Sequence, residues 1–224
     1  MNIKIVFKLN SKLFFCYFVF YLLFFIYTSG FAGWNPSVFV NTGLGARAIS
    51  MGGAFVSISG DGSSVFWNPA GLGEIKNFEI SFMGQSLADV EWKTLENITP
   101  KYQCFNIIIP TKFLSVVENS VLGIGWINNS LDSIPYTYLD SQGNIVRDEV
   151  FQSIDNAFLL SYGDRFTIRD REKIYFGFGV RAITQQFTKI EGASAFGYDI
   201  VGGIIYKSGR TNLGFMINRG TVLQ

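Results

Sequence analysis

From about residue 77 onward, apolar positions alternate with small or polar ones at a period of two, the pattern of strands with two unlike faces. Phe78, Ile80 and Phe82 fall on one face; Asn77, Glu79, Ser81 and Gln85 fall on the other. Leu122, Ile124 and Trp126 alternate with Val121, Gly123 and Gly125. The clearest segment is Tyr175–Gln186. There Ile174, Phe176, Phe178, Val180 and Ala182 form an apolar face, and Lys173, Tyr175, Gly177, Gly179, Arg181 and Gln185 a small-or-polar one. Tyr198, Ile200, Ile204 and Tyr206 repeat it with an aromatic at each end, and Leu213, Phe215 and Ile217 close the series. These segments run about 8–14 residues, longer than the ~5–6 common in soluble strands. Asn128–Val150 reads as a long polar loop with a hairpin turn at Gln142-Gly143-Asn144, and Gly163–Lys173 as a charged connector. The fold expected is all-β, with roughly 8–10 strands by the alternation rule.

Two architectures explain such alternation. In a soluble β-sandwich the apolar face points into a core. In a transmembrane antiparallel β-barrel it points into lipid, and the small or polar face lines the lumen. The segment length suits a tilted spanning strand, which needs about 9–11 residues. Aromatics at segment ends suit an interfacial girdle. Arg181 and Gln185, on the small-or-polar face, become candidate lumen-facing residues that a lumen could hydrate.

The start of the chain follows another pattern. Lys4, Lys8 and Lys12 precede an unbroken apolar run, Leu13–Tyr27, and residues 1–32 hold no acid. A basic stretch, an apolar core of about 7–15 residues and small residues at −3 and −1 mark a secretory signal peptide. Gly30 and Ala32 take those two positions, so cleavage is expected between Ala32 and Gly33. An uncleaved spanning helix wants about 20 apolar residues. A lipoprotein box at Cys16 is excluded by the bulky Phe14 and Phe15 and by the apolar run continuing beyond it. Without Lys4, Lys8 and Lys12, the 18 basic residues become 15 against 17 acidic, a net charge of −2. Cys104 is then the only cysteine, so an intramolecular disulfide is excluded.

Composition removes several chemistries. The chain has no histidine, so a Ser-His-Asp triad or an imidazole-ligated metal is impossible. A net charge near zero offers no electrostatic case for nucleic acid. No acid pair, nucleophile–base set or ligand cluster stands out, and neither catalysis nor a cofactor is expected. Residues 38–61 imitate a dinucleotide site: Val38-Phe39-Val40 reads as a strand, Gly43-Leu44-Gly45-Ala46-Arg47-Ala48 fits G-x-G-x-x-A, and Asp61 follows. The helix would have to end before Gly52-Gly53, far short of the crossover that a parallel βαβ unit requires.

Gly43 through Val56, with Arg47-Ala48-Ile49-Ser50-Met51-Gly52-Gly53-Ala54 at its centre, is followed by Asp61-Gly62-Ser63-Ser64-Val65-Phe66-Trp67-Asn68-Pro69-Ala70-Gly71-Leu72. This stretch resembles the N-terminal signature of the FadL-like outer-membrane barrels (the OMPP1/FadL/TodX superfamily), and most closely its PorV/PorQ branch. Gly197–Tyr206 looks like a Gly-x-Asp-x-Gly-x-x-Tyr strand of the same family. The residues carrying the resemblance are Arg47, Met51, Gly52, Gly53, Asp61, Asn68, Pro69, Ala70 and Gly71. Asp61 is expected to cap a short helix over Gly62–Trp67, and Pro69 to end it at Asn68. Asn68 is expected to form an Asx-type turn, and Gly71 to allow the reversal into the first strand. Gly52-Gly53 is expected to let backbone pack closely. Arg47, if it lies inside a lumen, needs a carboxylate partner; otherwise it sits on a solvated turn.

The resemblance implies a signal peptide over residues 1–32, a plug over 33–76 and antiparallel barrel strands over 77–224, placed in the bacterial outer membrane. Family barrels have about 14 strands and closure leaves no edge in lipid, so the expectation is a C-terminally truncated, open barrel. Outer-membrane lipid is the expected surrounding. The implied function is a component of type IX protein secretion with secretion-machinery partners. The alternative is a FadL-like channel for a hydrophobic small molecule, and a soluble exported β-sandwich is the weaker third.

Overall fold

A single meander of seven antiparallel strands dominates the described residues. In the computed structural model, residues 43–86, 100–114, 120–169, 172–189 and 193–223 are described. The chain divides into two compact units, Met1–Trp34 and Asn35–Gln224, and every described residue belongs to the second. The expected cleavage site at Ala32 and Gly33 lies outside the described residues. The strands are β1 (Glu79–Ser86), β2 (Pro100–Pro110), β3 (Val121–Leu139), β4 (Ile145–Arg169), β5 (Glu172–Phe187), β6 (Ser194–Ser208) and β7 (Thr211–Leu223). Each pairs with its neighbours in sequence, in the order β1 to β7. The all-β reading therefore holds, with seven strands among the described residues where the alternation rule suggested 8–10.

Two expected connectors are strand instead. Asn128–Val150 belongs largely to β3 and β4, which pair as far as Leu139↔Ile145. β2 reaches only Leu131, and β5 begins pairing with β4 at Ser153. Beyond those points β3 and β4 continue as a two-stranded arm with irregular register between Leu131 and Thr137. Its tip is the expected turn: Asp140 accepts hydrogen bonds from the amides of Gln142 (2.9 Å) and Asn144 (2.8 Å), and Gly143 adopts φ +82°. Gly163–Lys173 likewise divides between the end of β4 and the start of β5. Polar side chains hid both stretches, because a strand outside an apolar environment has no reason to show an apolar face.

Before β1, residues 43–76, the described part of the segment expected as a plug and termed the plug for that expectation alone, form a compact segment built from α1 (Ala46–Ser50), α2 (Ser64–Trp67) and a 3-10 helix at Pro69–Glu74. It packs on one face of the sheet. That face carries the odd-numbered residues of β3 to β6, among them Val121, Ile127, Ala157, Leu159, Tyr175, Ile183, Val201 and Ile205, all buried. Val65, Phe66 and Leu72 enter the same cluster from the plug side. Each such side chain contributes about 1.5–3 kcal/mol on full burial, so this contact, not the hydrogen bonding of helices four or five residues long, holds the segment in place.

The opposite face is apolar and uncovered. Ile204 is 53% exposed, Phe215 67% and Phe82 66%, and Phe158, Leu160, Phe178, Val180, Leu213 and Ile217 stand with them. The large apolar side chains that alternation detected thus lie on the outside, while the packed interior mixes apolar residues such as Ile127, Leu159, Tyr175 and Ile183 with glycines and polar groups.

Candidate functional site

The feature with most built-in specificity is the seat of the plug on the sheet. Gly163, Gly177 and Gly203 are direct cross-strand partners on β4, β5 and β6. They make a row without side chains across three strands, and the Asn68-Pro69-Ala70 backbone lies against it. A Cβ on Gly163 would stand 2.5 Å from the Pro69 carbonyl oxygen; one on Gly177 would overlap Pro69 and Ala70, and one on Gly203 would overlap the Asn68 side chain. Gly73 approaches the Asp164 carbonyl of β4 in the same way, and Gly214 of β7 approaches Val56 and Ser57. Backbone contacts backbone at Gly163, Gly177, Gly73 and Gly214, and the Asn68 side chain fills the space at Gly203; only glycine permits either.

Asn68 organises the seat. The residue before a proline is pushed out of the helical region, and Asn68 is extended at φ −160°, ψ 105°, ending α2. Its Oδ1 accepts from the Ala70 amide (3.1 Å), the expected Asx turn, and thereby caps the 3-10 helix with Pro69 in its first turn. Its Nδ2 donates to the Val56 carbonyl (2.7 Å) and reaches the Phe215 carbonyl of β7 (3.4 Å). One fully buried amide therefore joins both halves of the plug to the last strand.

The carbonyls at the end of α2 are answered by the sheet. A four-residue helix cannot satisfy its own last carbonyls. The Val65 carbonyl accepts from the Ser161 hydroxyl of β4 (2.9 Å), and the Phe66 carbonyl from Arg181 Nη2 of β5 (2.6 Å). Arg181 also pairs with Asp199 of β6, Nη1 to Oδ2 at 3.1 Å, and lies 4.4 Å over the Phe66 ring. Both side chains of the pair are less than a tenth exposed. Arg181 thus faces inward as its parity requires, but a carboxylate, a carbonyl and an aromatic face take the place of the hydrating lumen expected for it. Gln185 stands further along the same face and hydrogen-bonds Asp155, its cross-strand partner on β4.

Arg47 pairs with Asp61 at 3.4 Å, with its side chain 62% exposed. Its expected surroundings, a partner carboxylate or a solvated turn, are both present. Asp61 accepts through Oδ1 from the Ser63 amide (2.9 Å) and hydroxyl (2.6 Å). It thereby holds the turn leading into α2, which begins at Ser64 instead of Gly62. Met51 is exposed. Gly52 and Gly53 both have positive φ and follow α1; Gly52 has nothing within 4 Å of a Cβ position. The requirement at Gly52 is conformational, ending the helix, whereas a Cβ on Gly53 would stand 3.1 Å from the Trp67 ring, the close approach expected of the pair. Gly71 reverses in the other sense: it sits inside the 3-10 helix without a positive φ, and a Cβ there would stand 2.5 Å from the Ser64 hydroxyl. Ala70 is fully buried with Tyr175 and Ile205. α1 spans five residues, so the G-x-G-x-x-A run serves a turn. There the Trp67 indole donates to the Leu44 carbonyl (2.7 Å) and the Tyr102 hydroxyl to that of Gly43.

Ser161 and the alignment of the glycine row were not singled out by sequence, and Phe66 and Asp199 stood in the family-like stretches without an assigned partner. Unlike charges at inward parity on adjacent strands, Arg181 and Asp199, were the available signal. Glu74 ties the plug to β6: Lys207 donates to both its oxygens (2.7 and 3.0 Å), and the Ser59 hydroxyl donates as well. Burial alone would raise the Glu74 pKa, but these hydrogen bonds and the Lys207 charge hold it below the usual value. Among the described residues no three His, Cys, Asp or Glu side chains gather as metal ligands. No protein-family model, curated protein or solved structure matches the chain.

Proposed function

We propose that this chain is an outer-membrane β-barrel protein of the PorV/PorQ type, a non-catalytic component of type IX protein secretion whose plug is a fixed structural part. The observation that carries the membrane reading is the second, uncovered apolar face of a sheet whose other face is already packed. The sheet buries glycines, polar groups and an ion pair against the plug and leaves Phe82, Phe158, Phe178, Ile204 and Phe215 uncovered. In water such a contiguous apolar surface would be an aggregation hazard; in lipid it is the required exterior. On β6 that exterior runs from Tyr198 to Tyr206, about 26 Å at ~3.3 Å per residue, close to the apolar band of about 25 Å that a membrane barrel presents. A tyrosine at each end suits the interfacial girdle.

A plug held by backbone contact along the glycine row, by Asn68 and by Arg181 favours a scaffold over a passage for hydrophobic small molecules. After outer-membrane fractionation, the protein should migrate differently on gels with and without boiling. Migration unaffected by heat would count against the barrel. Co-purification with secretion-machinery proteins supports the secretion role, whereas saturable fatty-acid binding without such partners would transfer the chain to the channel class.

A further inference from the structure

On the uncovered face, successive rows of cross-strand partners change character toward the arm. Ile107, Ile124, Leu160 and Val180 form one row across β2 to β5, and Phe105, Trp126, Phe158 and Ala182 form the next. The row after that is Gln103, Asn128, Asn156 and Thr184, uncharged hydrogen-bonding side chains on four neighbouring strands; on β6 the position falls to Phe196. One row further out stand Lys101, Ser130 and Ile154, and Lys101 pairs with Asp132 at 2.8 Å. Aliphatic, aromatic, amide and charged positions thus follow one another between Ile124 and Ser130, about 20 Å at ~3.3 Å per residue.

The amide row is oriented from within the sheet. Asn156 Oδ1 accepts from Trp126 Nε1 (3.2 Å) and from Asn128 Nδ2 (3.0 Å). With that oxygen filled, Asn156 presents two N–H donors, and Gln103 and Thr184 add an amide and a hydroxyl. Gln103 is exposed, and Asn156 and Thr184 are half-buried.

We propose that this row is the contact surface for the acyl carbonyls of membrane lipids, and that the bilayer boundary at the arm end runs along it. The proposal rests on the membrane reading above and adds its depth and its hydrogen-bonding partner. An acyl carbonyl accepts hydrogen bonds, donates none and lies between hydrocarbon and headgroup. Uncharged donors next to a row holding Trp126 and Phe158 fit that level, whereas a phosphate calls for Arg or Lys. The boundary also explains why apolar alternation stops at Asn128. From there to Leu139, about 36 Å along the strand, β3 stands in water.

Nitroxides at Leu160→Cys, Phe158→Cys and Ile154→Cys test the depth, each in the Cys16→Ser/Cys104→Ser background and in dioleoyl phosphatidylcholine bilayers. Ile154 decides, because it is apolar and on the uncovered face yet stands beyond the amide row. Oxygen should be the dominant relaxant at Leu160→Cys and Phe158→Cys, and a water-soluble nickel chelate at Ile154→Cys. Adding Asn156→Leu should shift the Ile154→Cys signal toward the oxygen-dominated value, as the boundary moves outward. Thr184→Val, nearly unchanged in volume, should shift it less in the same direction and carries the test if circular dichroism shows Asn156→Leu unfolded. Oxygen dominance at all three positions overturns the proposed boundary and leaves the membrane reading standing. Nickel dominance at all three overturns the membrane reading and the proposal with it. An Ile154→Cys signal unmoved by the folded variants overturns the role of the amide row.

Discussion

Arg181 and Asp199 face each other across β5 and β6, and the arginine that neutralises the buried carboxylate also holds the Phe66 carbonyl of the plug. One side chain therefore serves the sheet and the plug together. Removing a single partner from a buried ion pair leaves an uncompensated charge, a loss of about 3–5 kcal/mol. Arg181→Met is expected to cost that much in urea denaturation of the detergent-purified chain. Arg181→Met/Asp199→Leu is expected to recover much of it, since no lone charge remains. Equal stability of Arg181→Met and the parent would show that the pair is not desolvated.

The glycine row predicts a position-specific intolerance. Gly177→Ala inserts a methyl group where Pro69 and Ala70 already lie. Overpacking of this kind costs about 1–3 kcal/mol and should loosen the plug. Trp67, held by the Leu44 carbonyl, reports it: the variant should show red-shifted indole fluorescence and faster proteolysis within 43–76. Gly202→Ala, one residue from the row and with only Ile217 near its Cβ position, at 3.7 Å, is the control and should leave both unchanged.

Glu74 gives the plug a pH dependence. Its carboxyl is held below the ordinary value of 4.5, so the stabilising contribution is fully present above that value. It is lost as pH falls through the lower, folded-state pKa. Resistance of the plug to proteolysis should therefore decline on acidification below about pH 4.5. Glu74→Gln should start lower at neutral pH and show a shallower decline. An identical acid profile in the variant would remove Glu74 from the account.

The arm beyond Leu131 makes no contact that the plug requires, and its tip is organised locally by Asp140 and Gly143. Replacing residues 134–150 with an Asn-Gly turn, which suits a two-residue hairpin, should leave the urea midpoint of the remaining sheet within experimental error. A large loss of stability would mean that the arm is part of the folding unit.

Local rules reached some of this and missed the rest for identifiable reasons. The alternation over Tyr175–Gln186 located β5 almost to its ends, Gln142-Gly143-Asn144 located the arm's turn, and the Asn68-Pro69 pair located the Asx turn, because each depends on residues close in sequence. The glycine row depends on register: Gly163, Gly177 and Gly203 align only once three strands are paired. Arg47 meets Asp61 fourteen residues away, across turns no local rule could orient. Asn128–Val150 was taken for a loop because its first residues, Asn128, Asn129, Ser130 and Asp132, carry no apolar face, although β pairing does not need one. Gly52 and Gly71 were each given the other's kind of reason. One ends a helix through its positive φ; the other accommodates Ser64.

The central claim is that the uncovered face of the sheet lies in lipid. A nitroxide attached at Ile204→Cys, in a background of Cys16→Ser and Cys104→Ser and in lipid bilayers, tests it by collisional relaxation. High accessibility to oxygen and low accessibility to a water-soluble nickel chelate at Ile204, with the reverse at a Gly143→Cys control on the arm's turn, is the predicted result. Nickel accessibility at Ile204 equal to that at residue 143 would contradict the claim.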